Sequence, residues 1–83
     1  MKIKVIEKVY DRSDRIEEVI NLEMNDSLWN DVEGLWYEYN KRFDDGGSKV
    51  GVLDGWEVSK MEDVIVICSN GRCYEEVVFV KMG

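Results

Sequence analysis

The chain has 83 residues, two cysteines, no histidine and a formal charge of −7, from 18 Asp and Glu against 11 Lys and Arg. That length fits a single domain (1–83) with a modest core, near the lower limit at which a domain is stable alone. Two cysteines without histidine exclude a Cys/His zinc site and remove the usual base for a Ser or Cys nucleophile, while the negative charge disfavours direct contact with nucleic acid or anionic lipid and attracts basic surfaces.

No apolar run reaches the roughly 20 residues that span a bilayer, and Met1-Lys2-Ile3-Lys4 is too polar for a signal peptide. The sequence therefore predicts a cytoplasmic protein without a membrane segment.

Lys2 to Tyr10 reads as a strand, because Ile3, Val5 and Val9 fall on one face and Lys2, Lys4 and Lys8 on the other. Ile6 and Tyr10 interrupt the polar side, so that side is not fully solvated. Asp11-Arg12-Ser13-Asp14 is built of turn formers. Residues 16–24 admit two readings. Ile20, Leu22 and Met24 alternate as in a strand; Ile16, Val19 and Ile20 also fit a helical face behind a Ser13 cap. The strand gives the simpler hairpin and is the reading adopted; the helix would place two helices beside the sheet.

Asn25, Asp26 and Ser27 are all N-cap types, and they precede an amphipathic stretch with Trp29, Val32, Trp36 and Phe43 along one side. The main helix is expected over about 27–45. Asp31 and Glu33 in its early turns and Lys41 and Arg42 in its last suit the helix dipole. Asp44-Asp45-Gly46-Gly47 would end it. Gly34 in mid-helix costs about 1 kcal/mol relative to Ala, which a close backbone approach or a tolerated imperfection would explain.

Val50 to Leu53 and Trp56 to Lys60 are short extended pieces around the turn formers Asp54-Gly55, unless they form one bent strand. Val64 to Cys68 and Cys73 to Met82 form a hairpin closed by Asn70-Gly71. With a two-residue loop, Ser69 faces Arg72 and Cys68 faces Cys73, with Cα atoms about 4.5 Å apart. Their redox state is open: two reduced thiols packed as small apolar groups, a switch, or a disulfide formed in air. The fold class is thus α+β, an antiparallel sheet of four to five strands with one main helix, in the order β-β-α-β-β-(β).

Val64-Ile65-Val66-Ile67-Cys68 and Val77-Val78-Phe79-Val80 offer no polar residue for a solvated face, which is the pattern of strands covered on both sides. One helix covers one face. A second helix, a curled sheet edge or a second copy must cover the other, and a homodimer is the expectation. Dimerisation would double the charge from −7 to −14.

No catalytic motif is present, and the expectation is a protein that is not an enzyme and takes no cofactor. Asp44-Asp45, Glu62-Asp63 and Glu75-Glu76 are adjacent acids, but neighbours in a strand point to opposite faces and cannot chelate one ion, so no metal site is expected. The tryptophans read as core anchors. Tyr37 falls near Asn30, Glu33 and Lys41, away from the tryptophan side, and is the candidate contact aromatic.

The most unusual stretch runs from Ile16 to Asn40, which holds no Lys or Arg but carries Glu17, Glu18, Glu23, Asp26, Asp31, Glu33 and Glu38. A charged face is what any amphipathic helix needs for solubility, yet mixed signs are its ordinary pattern. Acids four apart on a helix or two apart on a strand lie about 6 Å apart. That spacing approximates half the axial density of phosphates on one DNA strand, at about 3.4 Å each. Glu17, Glu18, Glu23, Asp26, Asp31, Glu33, Glu38, Asp44 and Asp45 are therefore the candidate partner-binding carboxylates.

On those residues the chain resembles the small acidic DNA-mimic inhibitors that bacteriophages encode against host DNA-binding proteins, and most nearly the acidic dimeric inhibitors of the nucleoid protein HU. The likeness is one of size, charge and inferred dimerisation, and covers roughly the middle third of the chain. It implies a homodimer, acting in the host bacterial cytoplasm, that occupies HU's DNA-binding surface; restriction enzymes, CRISPR effectors, RNA polymerase or a DNA glycosylase are other targets. Lys2, Lys4, Lys8, Arg12 and Arg15 depart from a uniformly acidic exterior and would mark a side turned away from the target. The alternative is an acidic protein-protein interaction module whose partner has nothing to do with DNA.

Overall fold

The computed structural model describes residues 1–11, 14–41, 53, 55–69 and 74–82. They fall into two compact units, one of Met1–Met24 with Gly55–Gly83 and one of Asn25–Asp54.

The first unit is a five-stranded antiparallel sheet in the order β2-β1-β5-β4-β3. Its strands are β1 (Lys2–Asp11), β2 (Asp14–Glu23), β3 (Trp56–Lys60), β4 (Val64–Ser69) and β5 (Tyr74–Met82). Residues 16–23 thus take the strand reading, with Val5 opposite Ile20 and Ile6 opposite Val19. Pairing across the sheet sorts the side chains into two faces, because directly opposed residues point the same way. On the inner face Ile20, Val5, Phe79 and Ile65 form one row, and Leu22 with Ile3, and Val77 with Ile67, lie in the rows beside it. Ile3, Val5, Leu22, Ile65, Ile67, Val77 and Phe79 are buried there.

The outer face carries the row Val19, Ile6, Val78, Val66 and Ser59, flanked by Asn21, Lys4, Val80 and Val64 on one side and by Glu17, Lys8, Glu76, Cys68 and Glu57 on the other. Ile6, Val64, Val66, Val78 and Val80 are only half-buried, and Val19 is 51% exposed. The all-apolar runs in β4 and β5 are therefore buried on one face and half-open on the other.

The amino terminus is tied to the end of β2. The Met1 ammonium donates to Met24 O at 2.8 Å and to Glu23 Oε1 at 3.0 Å, and Met24 N donates back to Met1 O at 2.9 Å.

The β4–β5 register corrects the two-residue hairpin. Ile67 pairs with Val77 and Cys68 with Glu76, so Cys68 does not face Cys73. The observed register stacks Val64 on Val80, Ile65 on Phe79, Val66 on Val78 and Ile67 on Val77. A loop of Asn70-Gly71 alone would put Glu76 against Ile65 and Glu75 against Val66. Four apolar pairs outweigh the local preference of one turn, as expected when a face is buried. Ser69 Oγ instead accepts from Glu75 N at 3.2 Å, and Cys68 is a free thiol. Asn70, Gly71, Arg72 and Cys73 lie outside the described residues, as do Val50, Gly51 and Val52; Gly55 has φ +79°, the left-handed conformation that suits glycine in a turn.

In the second unit the first part of the continuous helix expected over 27–45 is instead a 3-10 turn, Asp26–Asn30, followed by a helix α1, Val32–Asn40, so that a 3-10 segment separates β2 from the helix; residues 42–45 lie outside the described residues. Two caps in succession cause the break. Asn25 Oδ1 accepts from Ser27 N and Ser27 Oγ, each at 3.0 Å. Asp31, with φ −131° and ψ 84°, leaves the helical region and caps α1 by accepting from Gly34 N at 3.1 Å. A Cβ at Gly34 would stand 2.5 Å from Asp31 Oδ2 and 3.1 Å from Leu28 Cδ2, so the glycine makes room for the capping carboxylate. Trp29, Leu35, Trp36 and Tyr39 are buried; the Trp36 and Tyr39 rings lie 5.5 Å apart, tilted by 34°.

This arrangement predicts strong non-additivity. Asp31→Ala is expected to cost about 1 kcal/mol through loss of the cap. Gly34→Ala in the native background should gain nothing, because its propensity advantage of about 1 kcal/mol is cancelled by eviction of the Asp31 carboxylate. In the Asp31→Ala background it should recover most of that amount. A double-mutant cycle in urea checks this, and additive effects would show that the two residues are not coupled.

Candidate functional site

Of the acids in 16–40, Glu17, Glu18, Glu23, Asp26, Asp31 and Glu33 are exposed and Glu38 is half-buried. Burial is avoided for the ordinary reason that an ionised carboxylate is costly to remove from water. The structure distributes them over several surfaces.

Within the sheet, Glu17 and Glu23 lie on the outer face of β2, with Val19 and Asn21 between them, and Glu18 lies on the inner face. The same-face separation of Glu17 and Glu23 is about 20 Å at roughly 3.3 Å per residue, wider than the regular spacing expected from the sequence. Glu17 stands opposite Lys8 and Glu23 opposite Lys2, and Glu23, though 69% exposed, is bound to the amino terminus. β2 is also an edge strand, where charged side chains guard against strand addition.

Within the second unit, Asp31 is engaged as the cap of α1. Glu38 pairs with Lys41 at 3.5 Å, both side chains being about half exposed. Lys41 Nζ also sits 5.3 Å from the centre of the Tyr37 ring. Tyr37 is 45% exposed and lies one helical turn beyond Glu33, on the same side of α1. Among the described residues Glu33 has no ion-pair partner. The helix thus presents an unpaired carboxylate, an exposed phenol and an adjacent ammonium. That set can form ion pairs, hydrogen bonds and an aromatic contact with another surface. Asp44 and Asp45 lie outside the described residues.

One acid escaped the sequence pattern. Glu7 lies on the inner face of β1 between Val5 and Val9, opposite Glu18 and Val77, and its Oε1 is buried without a hydrogen-bond partner. Its place between Val5 and Val9 in a period of two was the available signal.

A groove of about 380 Å³ at one end of the sheet is lined by Lys2, Ile3, Asn21, Leu22, Glu23 and Met82. It brings together the Lys2 ammonium and the Glu23 carboxylate, which the amino terminus already holds. Among the described residues no three Cys, Asp or Glu side chains gather to hold a metal ion, and no helix is long and apolar enough to cross a membrane. No family model, curated protein or solved structure matches the chain.

Proposed function

We propose that this protein is an acidic inhibitor that, as a homodimer, occupies the DNA-binding surface of a basic protein, with the nucleoid protein HU as the first target to test. The observation that carries this reading is that Glu17, Glu18, Glu23, Asp26, Asp31 and Glu33 are all exposed in a stretch with no Lys or Arg. A polyanionic surface is steered to a DNA-binding groove by the field that draws DNA there, and like DNA it is weakened by salt. Within β2 the acids are not evenly spaced along one face, since Glu17 and Glu23 share the outer face and Glu18 lies on the inner one, so the mimicry rests on charge density and not on a regular row.

A second reading is favoured by Tyr37. An exposed aromatic beside Glu33 and Lys41 is also the kind of centre around which a protein partner unrelated to DNA would pack.

Competition against labelled duplex DNA on purified HU separates the two. Displacement of the DNA, with a potency that falls steeply between about 50 and 200 mM salt, is the expected result. Failure to displace it at the lowest salt would remove HU as the target. Binding to a partner that is indifferent both to DNA and to salt would support the second reading.

A further inference from the structure

We propose that the outer face of the sheet is the seat of a second copy of this chain, through a twofold axis that runs along the strands between β1 and β5. This deepens the homodimer part of the functional reading and is independent of the target.

The face belongs wholly to the sheet unit, and its middle is apolar: Val19, Ile6, Val78 and Val66 in one row, Val80 and Val64 in the row on one side of it, and Cys68 in the row on the other. These side chains are half-buried or, for Val19, exposed. A contiguous apolar patch across the middle of a sheet face is a candidate contact surface. At about 4.8 Å between strands and about 6.7 Å between successive same-face residues, the outer face offers roughly 600 Å² per copy. Stable interfaces take about 600–1,000 Å² from each partner, so the whole face is needed and it meets the lower end of that range.

Charge selects the occupant. The chain carries −7, which would ordinarily keep copies apart, but the outer face sets Lys2, Lys4 and Lys8 against Glu17, Glu23, Glu57 and Glu76. Glu23 is already bound to the amino terminus, so the face is close to neutral. A cation-rich protein finds better surfaces elsewhere on this molecule, whereas a second copy meets its least repulsive side here.

An axis between β1 and β5 also makes the pattern self-complementary. It sets Ile6 on the partner's Val78, Val19 on the partner's Val66 and Lys8 on the partner's Glu76, each contact occurring twice, as a twofold requires. Lys4 meets the partner's Val80, where its aliphatic stem packs while the ammonium reaches water.

Sedimentation equilibrium and thiol labelling test this on the full chain. The native protein is expected to have the mass of two chains at micromolar concentration, and Val66→Lys and Val19→Glu to weaken the dimer about thirtyfold or more, the effect of an unpaired charge in a dehydrated contact. In a Cys73→Ser background, Cys68 should react with a thiol reagent slowly at high protein concentration and faster on dilution. If Val66→Lys fails to fold by far-ultraviolet circular dichroism, Val19→Glu decides, since Val19 is already half exposed on an edge strand. A native protein with the mass of one chain overturns the proposal. So does a dimer that Val19→Glu leaves intact with Cys68 labelling independent of concentration.

Discussion

Phe79→Ala is expected to destabilise the protein by about 3–5 kcal/mol, a large part of the roughly 4–12 kcal/mol available to a chain of this length at about 0.05–0.15 kcal/mol per residue. Phe79 is 0% exposed and lies in β5, the central strand of the five, between Val5 of β1 and Ile65 of β4. Truncation opens a cavity that both neighbouring strands border, and hydrogen-bonded strands on either side cannot move together to fill it. Val78, next along the same strand, points to the outer face and is half-buried. Val78→Ala should cost roughly 1 kcal/mol by loss of partly buried methyl groups, and more at high protein concentration if a second copy covers it. Urea denaturation of both variants at two protein concentrations gives the comparison. Equal costs would show that the two faces are not differently buried, and with that the assignment of inner and outer faces would fail.

The same alternation explains what could be read in advance. Ile3, Val5, Lys2, Lys4 and Lys8 spell a period of two without competition from any helical pattern, and β1 is where it was expected. β4 and β5 were legible as a hairpin because each is a short apolar run, but their register was not, since a turn rule looks at Asn70-Gly71 alone while the register answers to Val64–Val80 and Ile65–Phe79. The helix was over-extended for a related reason. Asp31 reads equally well as a first-turn acid and as a new cap, and only its carboxylate on Gly34 N shows which. The carboxylates illustrate the deepest gap between chain and surface. Glu17 and Glu18 are neighbours in an acidic run, yet a strand sends them to opposite faces. Glu33 and Glu38 are both on α1, yet Glu38 is held by Lys41 and Glu33 is not. Contiguity of charge in sequence does not translate into contiguity in space unless the period of the element allows it.

That difference between Glu33 and Glu38 sets the last expectation. Glu33→Lys should weaken binding to a basic target about tenfold to a hundredfold at low salt, chiefly by slowing association, and Glu38→Lys should do less. Glu33 is exposed and has no ion-pair partner among the described residues, so its whole charge is available to a target. Glu38 has part of its field cancelled by Lys41 at 3.5 Å. Both changes are tolerable to the fold: Glu33 is in the first turn of α1 and its loss of a favourable dipole interaction costs about 0.3–1 kcal/mol, and an exposed pair such as Glu38–Lys41 contributes about 0.2–1 kcal/mol. Stability and helix content therefore serve as controls, with Asp31 left alone because its carboxylate is structural. Affinity measured for native protein, Glu33→Lys and Glu38→Lys across a salt series should show the three curves converging as salt screens the contact. If Glu33→Lys binds as tightly as native protein at the lowest salt, the helix acids do not face the target, and the acidic edge β2 alone would have to account for binding.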